Sequence, residues 1–267
     1  MAAITQSANV IVDDFIAPVC HEHTEIIYQD DDILLINKPS GLLSLSGKNH
    51  LNWDSVHYRL VNGQQGVTAA FPKAILPHRL DLGTSGVMVV ALNAQAAKAL
   101  NLQFQYRSVK KQYRAMLSGL VAVSQGVITA PIAKDKMLFP KVKICHHSGK
   151  PAQTEFKVVK CFHKEQKTLV EFTPITGRTH QLRIHSLTFG HPILGCDLYT
   201  NDCSEQRTQR LLLHASDLFF VHPRTDKLMY GHAATPFLLI KPFKVSLNGV
   251  FYIFLLEVLT PPPILSA

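Results

Sequence analysis

The sequence predicts an α+β fold in which most of the sheet is antiparallel. Strand-like segments outnumber helical ones and arrive in consecutive groups, which is not the regular alternation of a parallel α/β sheet. Short apolar runs stopped by turn residues mark the strands, as in ILLINKPSG and VMVVAL. With 267 residues, 46% hydrophobic and 17% charged, the chain can bury a sizeable core.

The first half of the chain predicts buried strands joined by turns and by capped helices. Residues 26–41 combine a strand, a turn, a second strand and a break at KPSG, and residues 87–92 form another buried strand. We expect a helix near 54–61. Asn93 is a suitable N-cap for a second helix, whose apolar face carries Ala97, Leu100 and Phe104.

The second half is richer in strands. Residues 110–121 alternate between apolar and polar side chains, as a half-buried strand does. Residues 153–162 and 168–175 predict a further strand pair. The lysine-rich segment 131–150 lies before that pair and predicts a basic hairpin or a loop insertion.

A third helix and a last strand region complete the main body. We expect Thr179 to be the N-cap of the helix, and Gly190 with Pro192 to end it. The run LLLHASDLFFVHP predicts two short strands around His214.

The two ends of the chain differ from the middle. Residues 1–25 lack periodicity and predict an N-terminal arm, residues 26–236 form the main domain, and residues 237–267 are an atypical apolar tail. The run VFYIFLLEVL in this tail is too short and too close to charged residues to span a bilayer, so we expect no membrane association. Either an extra apolar strand packs on the core, or the tail is an accidental extension.

Charge and cysteine content narrow the class of partner and compartment. The formal net charge is +8 with a pI near 9.3, which favours a polyanion such as nucleic acid. The five cysteines form no C-x-x-C pair, and without a signal-peptide pattern we expect reduced thiols in a cytoplasmic protein. The CHEH cluster at 20–23 has metal-ligand residue types but no second cluster at a suitable spacing, so we expect no metal.

Polar side chains directly adjoin apolar runs at four places: His78–Asp81, Lys111–Tyr113, Gly177–His185 and Leu213–Ala215. None contains a Gly-rich phosphate loop, paired carboxylates or metal spacing. The two histidines of THQLRIH are five residues apart, which is off register for one helix face and indicates structural roles. For Arg79 and Asp81, one interpretation is local: the two neutralise each other while Asp81 or Thr84 caps a turn.

The blocks of sequence around these places favour a different interpretation. HRLDLGTSG closely resembles the catalytic signature of the RluA-type pseudouridine synthases. KPSGLLS, KKQYRA, GKPAQTEF, TPITGRTHQLRIHSLTFGHPILG and RLLLHA resemble blocks of the same family in the same order, over about residues 26–236. The resemblance implies a pseudouridine synthase fold, with helices and loops flanking the sheet around a central RNA-binding cleft. GKPAQTEF and VKKQYRA are most similar to family members with dual specificity for tRNA and large-subunit rRNA.

The resemblance also implies three catalytic residues. Asp81 is the expected carboxylate that acts at the ribose of the target uridine, while the enzyme detaches uracil at N1 and reattaches it through C5. This reaction requires no cofactor and no metal. Arg183 is the expected cation that keeps Asp81 ionised, and Tyr113 offers a flat ring to the base.

Further residues are expected to bind substrate. Leu213 would pack against the flipped base, His78 adjoins the site, and Arg79 would enter the RNA stack in place of the base. The basic hairpin would contact phosphates through Lys134, Lys136, Lys141 and Lys143. We expect a monomer that recognises stem-loops, one of them in a tRNA anticodon arm and one in 23S rRNA.

The sequence departs from the family pattern at GCDLY. Cys196 stands where the family often has an Asp, which we interpret as a shift by one within a loop that does not touch the catalytic set. Three alternatives remain open: an enzyme that acts on only one of the two RNAs, a non-catalytic RNA-binding or chaperone protein, and a hydrolase that uses Asp81 with His78 or His214.

Overall fold

The computed structural model describes residues 15–64, 67–138, 140–200, 208–237, 243–247 and 250–254. Three α-helices and thirteen strands lie in these ranges. The helices are α1 Val56–Asn62, α2 Ala94–Gln105 and α3 Gln181–Thr188. The strands are β1 Glu25–Gln29, β2 Ile33–Lys38, β3 Ser85–Ala91, β4 Lys110–Ser118, β5 Gln125–Thr129, β6 Ile132–Lys134, β7 Val142–Ile144, β8 Gln153–Phe162, β9 Lys167–Pro174, β10 Leu213–Val221, β11 Leu228–His232, β12 Phe243–Leu247 and β13 Val250–Phe254.

A nine-stranded sheet forms the body of the molecule. Its order is β1-β2-β3-β10-β4-β9-β8-β5, and β11 pairs with β10 beside this path. Only the contact between β3 and β10 is parallel; the other pairs in this sheet are antiparallel. The expected α+β class with a mostly antiparallel sheet is therefore confirmed.

The continuous apolar run of β2 follows from burial on both faces. Ile33 and Leu35 pack with the apolar face of α2, while Leu34 and Ile36 pack with α1 on the other side. Because successive strand residues point to opposite faces, a strand covered on both sides needs apolar residues at every position. Asn93 caps α2 as expected, since its Oδ1 accepts the Ala96 N–H at 2.8 Å.

One expectation is corrected at the level of elements. Residues 213–221 form the single strand β10, with a bulge between Ala215 and Asp217, and not two short strands around His214. The basic segment contains an antiparallel hairpin of β6 and β7, as the lysine-rich pattern predicts. Residues 153–162 and 167–174 form the expected strand pair.

The chain separates into two compact units, 1–234 and 235–267. The second unit contains an antiparallel hairpin of β12 and β13, which includes part of the apolar run in the tail. Among the residues described, no helix combines the length and the apolar character needed to cross a membrane.

Gly86 permits the parallel contact at the centre of the sheet. Its φ is +121°, and a Cβ at this position would lie 2.1 Å from the carbonyl oxygen of Ala215 on β10. The backbones of β3 and β10 approach too closely for a side chain, which explains the glycine that follows Thr84 and Ser85.

Replacing Gly86 with alanine should destabilise the fold by about 3 kcal/mol or more, because a backbone clash adds to the strain of positive φ. Gly190→Ala is the matched control, since Gly190 also has positive φ (+86°) but nothing within 4 Å of the added Cβ. This control should cost about 1 kcal/mol. Urea denaturation of both variants measures the difference, and equal losses would contradict the clash.

Candidate active site

The HRLD turn directs its side chains to different environments. Leu80 is buried in the core, Arg79 is exposed and Asp81 is half-buried. Within the described residues, neither the Asp81 carboxylate nor the Arg79 guanidinium has a hydrogen-bond or ion-pair partner. The local interpretation, in which the two side chains neutralise each other, therefore does not describe this turn.

A buried lysine holds the backbone that carries Asp81. Lys38 is fully buried, and its Nζ donates to the carbonyl oxygens of Pro39, Leu82 and Thr84 at 2.9, 3.2 and 2.8 Å. Burial lowers the pKa of Lys38 to about 7, and the nearby Asp81 carboxylate opposes this shift. Two of the three acceptors lie one and three residues after Asp81, so the ammonium fixes the shape of the loop.

The residues after Lys38 complete this clamp. Ser40 Oγ donates to the Gly83 carbonyl at 2.7 Å, and the N–H of Gly41 donates to the Leu82 carbonyl at 2.8 Å. Ser44 Oγ donates to the Leu80 carbonyl at 2.7 Å. Sequence reasoning treated KPSG only as the end of a strand and as a family block. The available signal was a lysine at the end of a strand that begins with four apolar residues.

Tyr113 lies on β4 near the centre of the sheet. It pairs with Ala215 of β10 on one side and with Phe172 of β9 on the other. Burial raises the pKa of its hydroxyl, and the Asp81 carboxylate raises it further. The phenol is therefore neutral beside a carboxylate, with its ring half-buried at the site.

Arg183 projects from α3 and is buried. Its Nε donates to Cys196 Sγ at 3.3 Å, and its Nη2 forms an ion pair with Asp197. Burial opposes the charge, but Cys196, Asp197 and Asp81 together raise the pKa of the guanidinium above its ordinary value. Asp81 thus lies close enough to interact electrostatically, although the ion pair that forms is with Asp197.

One expectation is corrected at this point. The predicted role of Arg183, to keep Asp81 ionised, stays a prediction; among the described residues its ion pair is with Asp197. Cys196 was expected to leave the catalytic set untouched, yet its sulfur contacts the Arg183 guanidinium. The side chain of Asp197 is 74% exposed, so solvent screens this pair.

His180 was predicted to be structural, but it lies close enough to Asp81 for the carboxylate to act on its charge. Burial lowers the pKa of His180, and Asp81 opposes the shift. The hydroxyl of Tyr199 accepts the Val142 N–H at 2.8 Å and shares a hydrogen bond with His180 Nδ1 at 2.9 Å. This chain of hydrogen bonds joins the basic hairpin to the start of α3. The Arg183 guanidinium lies 5.4 Å from the Tyr199 ring centroid.

The start of α3 differs from the prediction. His180, not Thr179, occupies the N-cap position, with φ +52° and no capping side chain. Gln181 organises the turn instead: its Oε1 accepts from Thr176 Oγ1 at 2.7 Å and from the N–H of Arg178 at 2.9 Å. A non-glycine residue in this conformation is strained and is often found at functional sites.

Two predicted substrate-binding residues have contacts inside the protein. The His78 ring stacks on Phe104 at 4.5 Å, and its Nε2 accepts the Val89 N–H at 3.1 Å. This geometry favours a structural role for His78, and its predicted contact with substrate stays a prediction. Leu213 is buried at the start of β10, where it packs in the same cluster as Tyr113.

The four lysines of the basic hairpin do not share one face. Lys134 pairs with Val142 across the hairpin, whereas Lys143 pairs with Ala133. Neighbouring residues on a strand alternate, so Lys134 and Lys143 point to opposite faces. Lys134, Lys136 and Lys143 are exposed, and Lys141 is half-buried. The Lys143 ammonium lies 4.0 Å from Asp135.

His214 is held between two partners and is not free to act as a base. Ser85 Oγ accepts from Arg210 and donates to His214 Nδ1 at 2.8 Å, while Nε2 donates to the Ala233 carbonyl at 2.9 Å. Burial lowers the pKa of His214 to about 4 and that of His78 to about 3. The hydrolase alternative is disfavoured, because both of its candidate bases are committed to structural hydrogen bonds.

One cluster in the described residues has the residue types of a metal site. Asp30, Asp32 and His222 converge at the turn between β1 and β2. Asp30 already accepts from Tyr28 and His222, and Asp32 accepts from Arg224. The carboxylates are satisfied by protein donors, so the geometry indicates a structural ion-pair network.

A clamped loop presents a carboxylate beside a neutral tyrosine and a buried arginine, which is an arrangement suited to an enzyme active site. Residues 32–188 match the family model described as RNA pseudouridylate synthase, and the chain belongs to this family. It is an isomerase that converts uridine to pseudouridine in RNA.

Curated relatives support the assignment. The chain is 43% identical over 210 residues to the dual-specificity RNA pseudouridine synthase RluA of Escherichia coli (strain K12), which covers 79% of this chain and 90% of that protein. It is 44% identical over 205 residues to the protein of the same name from Yersinia pestis, which covers 77% of this chain and 96% of that protein.

Two solved human structures share the fold. Human RNA pseudouridylate synthase domain containing 1 matches with a TM-score of 0.65 and 29% identity, over 83% of this chain and 87% of that one. Human RNA pseudouridylate synthase domain containing 4 matches with a TM-score of 0.60 and 28% identity, over 79% of this chain and 88% of that one.

Replacing Lys38 with methionine should both destabilise the protein and slow pseudouridine formation. Methionine fills similar space but leaves buried carbonyl oxygens without donors, which costs about 3 kcal/mol. A positioning role predicts that turnover at saturating RNA falls more than KM changes. Urea denaturation and single-turnover kinetics measure the two effects. Lys48→Met, at an exposed lysine of the same segment, is the control; normal turnover in Lys38→Met would exclude the positioning role.

The buried His214 should make stability sensitive to acid. In the unfolded chain the imidazole takes up a proton near its ordinary value of 6.5, whereas the folded pKa is about 4. Stability is therefore fully present above about pH 6.5 and is lost as pH falls towards 4, by about 3 kcal/mol. Denaturation of the native protein and of His214→Gln between pH 7 and pH 4 tests this. The variant should lose less stability over that range than the native protein; parallel curves would refute the assignment.

Proposed function

We propose that this enzyme isomerises specific uridines in stem-loops of two RNAs, the anticodon arm of tRNA and 23S rRNA. The observation that carries the proposal is the 43% identity, over 90% of its length, to a relative named as a dual-specificity RNA pseudouridine synthase. The net charge of +8 suits a polyanionic substrate. A loop uridine also costs less to flip than a stacked, paired one.

The chemistry assigned to Asp81 requires an ionised carboxylate at the ribose. The C1′–N1 bond breaks, the uracil turns, and a C1′–C5 bond forms; C5 loses a proton and N1 gains one. Atoms and electrons balance within the substrate, so the step needs no oxidant and no cofactor. Among the described residues, no protein group donates a hydrogen bond to the Asp81 carboxylate. The carboxylate is therefore available to the nucleotide.

The neighbouring groups support this step by charge and shape. The Asp81 carboxylate is among the groups that raise the pKa of Arg183, so a guanidinium of opposite charge lies near it. The neutral ring of Tyr113 stacks on the base, and Leu213 provides apolar packing beneath it. Arg79 is exposed and unpaired among the described residues, which suits entry into the RNA stack.

The proposal includes the domain organisation, the compartment and the oligomeric state of the enzyme. The catalytic domain is 26–236, with an N-terminal arm before it and the apolar tail 237–267 after it. The enzyme acts as a cytoplasmic monomer. The hairpin contributes phosphate contacts through Lys134, Lys136, Lys141 and Lys143. Because Lys134 and Lys143 point to opposite faces, these two contact different segments of the RNA.

Two short synthetic RNAs test the function: one anticodon stem-loop and one stem-loop of 23S rRNA. We expect pseudouridine in both, with no free uracil released. Asp81→Asn should abolish product formation while RNA affinity stays within a few-fold of the native protein, because the change keeps the shape and removes the ionised group.

Each other outcome identifies a different error. Product from only one stem-loop would show single specificity, and free uracil would show a hydrolase. Activity on full-length rRNA but on neither stem-loop would show that recognition extends beyond the loop. Turnover by Asp81→Asn, once deamidation to Asp is excluded by mass spectrometry, would refute the assignment of Asp81 as the nucleophile.

A further inference from the structure

Lys111 occupies a position on the active face that no role described above uses. It precedes Tyr113 by two residues on β4, and strand alternation places both side chains on the same face. A Cβ added to Gly177 would lie 3.7 Å from Lys111 Nζ. The ammonium therefore lies beside the loop that connects β9 to α3, the helix that carries Arg183.

This ammonium is half-buried and has no partner of opposite charge. Across the described part of the chain, it makes no hydrogen bond or ion pair. Burial lowers the pKa of Lys111, and the positive charge of Arg107 lowers it further. Arg107 likewise has no partner among those residues, and its backbone has φ +59°. Two cations thus face one region without compensation.

A lysine on a half-buried strand commonly covers apolar surface with its stem and keeps its charged end in water. Lys110 shows that arrangement: it is exposed, points to the opposite face of β4, and has its Nζ 5.9 Å from the Phe219 ring centroid. Lys111 differs because its charged end is the part that is enclosed. Gly177 has no positive φ that would require glycine, and an added Cβ there would be in van der Waals contact with Lys111 Nζ.

We propose that Lys111, with Arg107, binds a phosphodiester of the RNA directly beside the target uridine. The proposal rests on the proposed function, since it places the backbone of the same substrate. Lys111 and Tyr113 are about 7 Å apart along the strand, roughly the reach of one nucleotide from a base stacked on Tyr113. A phosphate oxygen would supply the acceptor and the negative charge that the enclosed ammonium lacks.

The test compares Lys111→Gln with Lys110→Gln, two adjacent lysines on opposite faces of one strand. Binding of a stem-loop substrate is measured over a range of salt concentrations in the Asp81→Asn background, where no product forms. Lys111→Gln should weaken binding about five- to tenfold near 0.1 M salt. The slope of the logarithm of the binding constant against the logarithm of the salt concentration, called the salt slope below, should become shallower by about one. Lys110→Gln should match the parent. Lys111→Arg, which keeps the charge, should retain the slope.

A single methylphosphonate linkage, which replaces one charged phosphodiester with a neutral group, tests which phosphate Lys111 binds. Placed next to the target uridine, it should weaken binding to the parent but add little to the loss in Lys111→Gln; additive losses would overturn the proposal. Equal salt slopes for the two Gln variants would also overturn it. Thermal melting confirms that each variant folds. Failure of the function itself is distinguishable, because the native enzyme would then form no pseudouridine.

Discussion

The buried ammonium of Lys38 is the interaction on which the site depends. Three backbone carbonyls surround it, and two of them belong to the loop that carries Asp81. The Asp81 side chain makes no hydrogen bond among the described residues, so it does not hold the shape of its own loop. The loop backbone is satisfied instead from β2, through Lys38 and the serines that follow it.

A second network connects the opposite side of the site to the basic hairpin. Tyr199 lies at its centre, because its hydroxyl joins the Val142 backbone to His180 and its ring lies beside the Arg183 guanidinium. The residues that set the position and charge of the arginine therefore come from α3 and from the loop after it. One hydroxyl group therefore links the backbone of the hairpin to the His180 ring.

Cys196 and Asp197 both contact the Arg183 guanidinium, at the place where a single carboxylate directly after the HPILG block could do so. The thiol contacts the buried Nε of Arg183, and the carboxylate one residue later forms the ion pair. Because Asp197 is mostly exposed, its charge is screened by water, and the buried Arg183 retains electrostatic attraction for Asp81. This arrangement leaves a cation close to the Asp81 carboxylate.

The sequence by itself determined the elements and the identity of the chemical groups. Apolar runs gave β2 and β3, Asn93 gave the start of α2, and the HRLD block identified Asp81, because each of these signals lies within a few consecutive residues. The tertiary structure alone decided the partners. Lys38 and Thr84 are 46 residues apart, and Arg183 meets Cys196 only through the path of a loop. Local periodicity records which face a residue occupies, whereas sheet register and loop path decide what lies opposite that face.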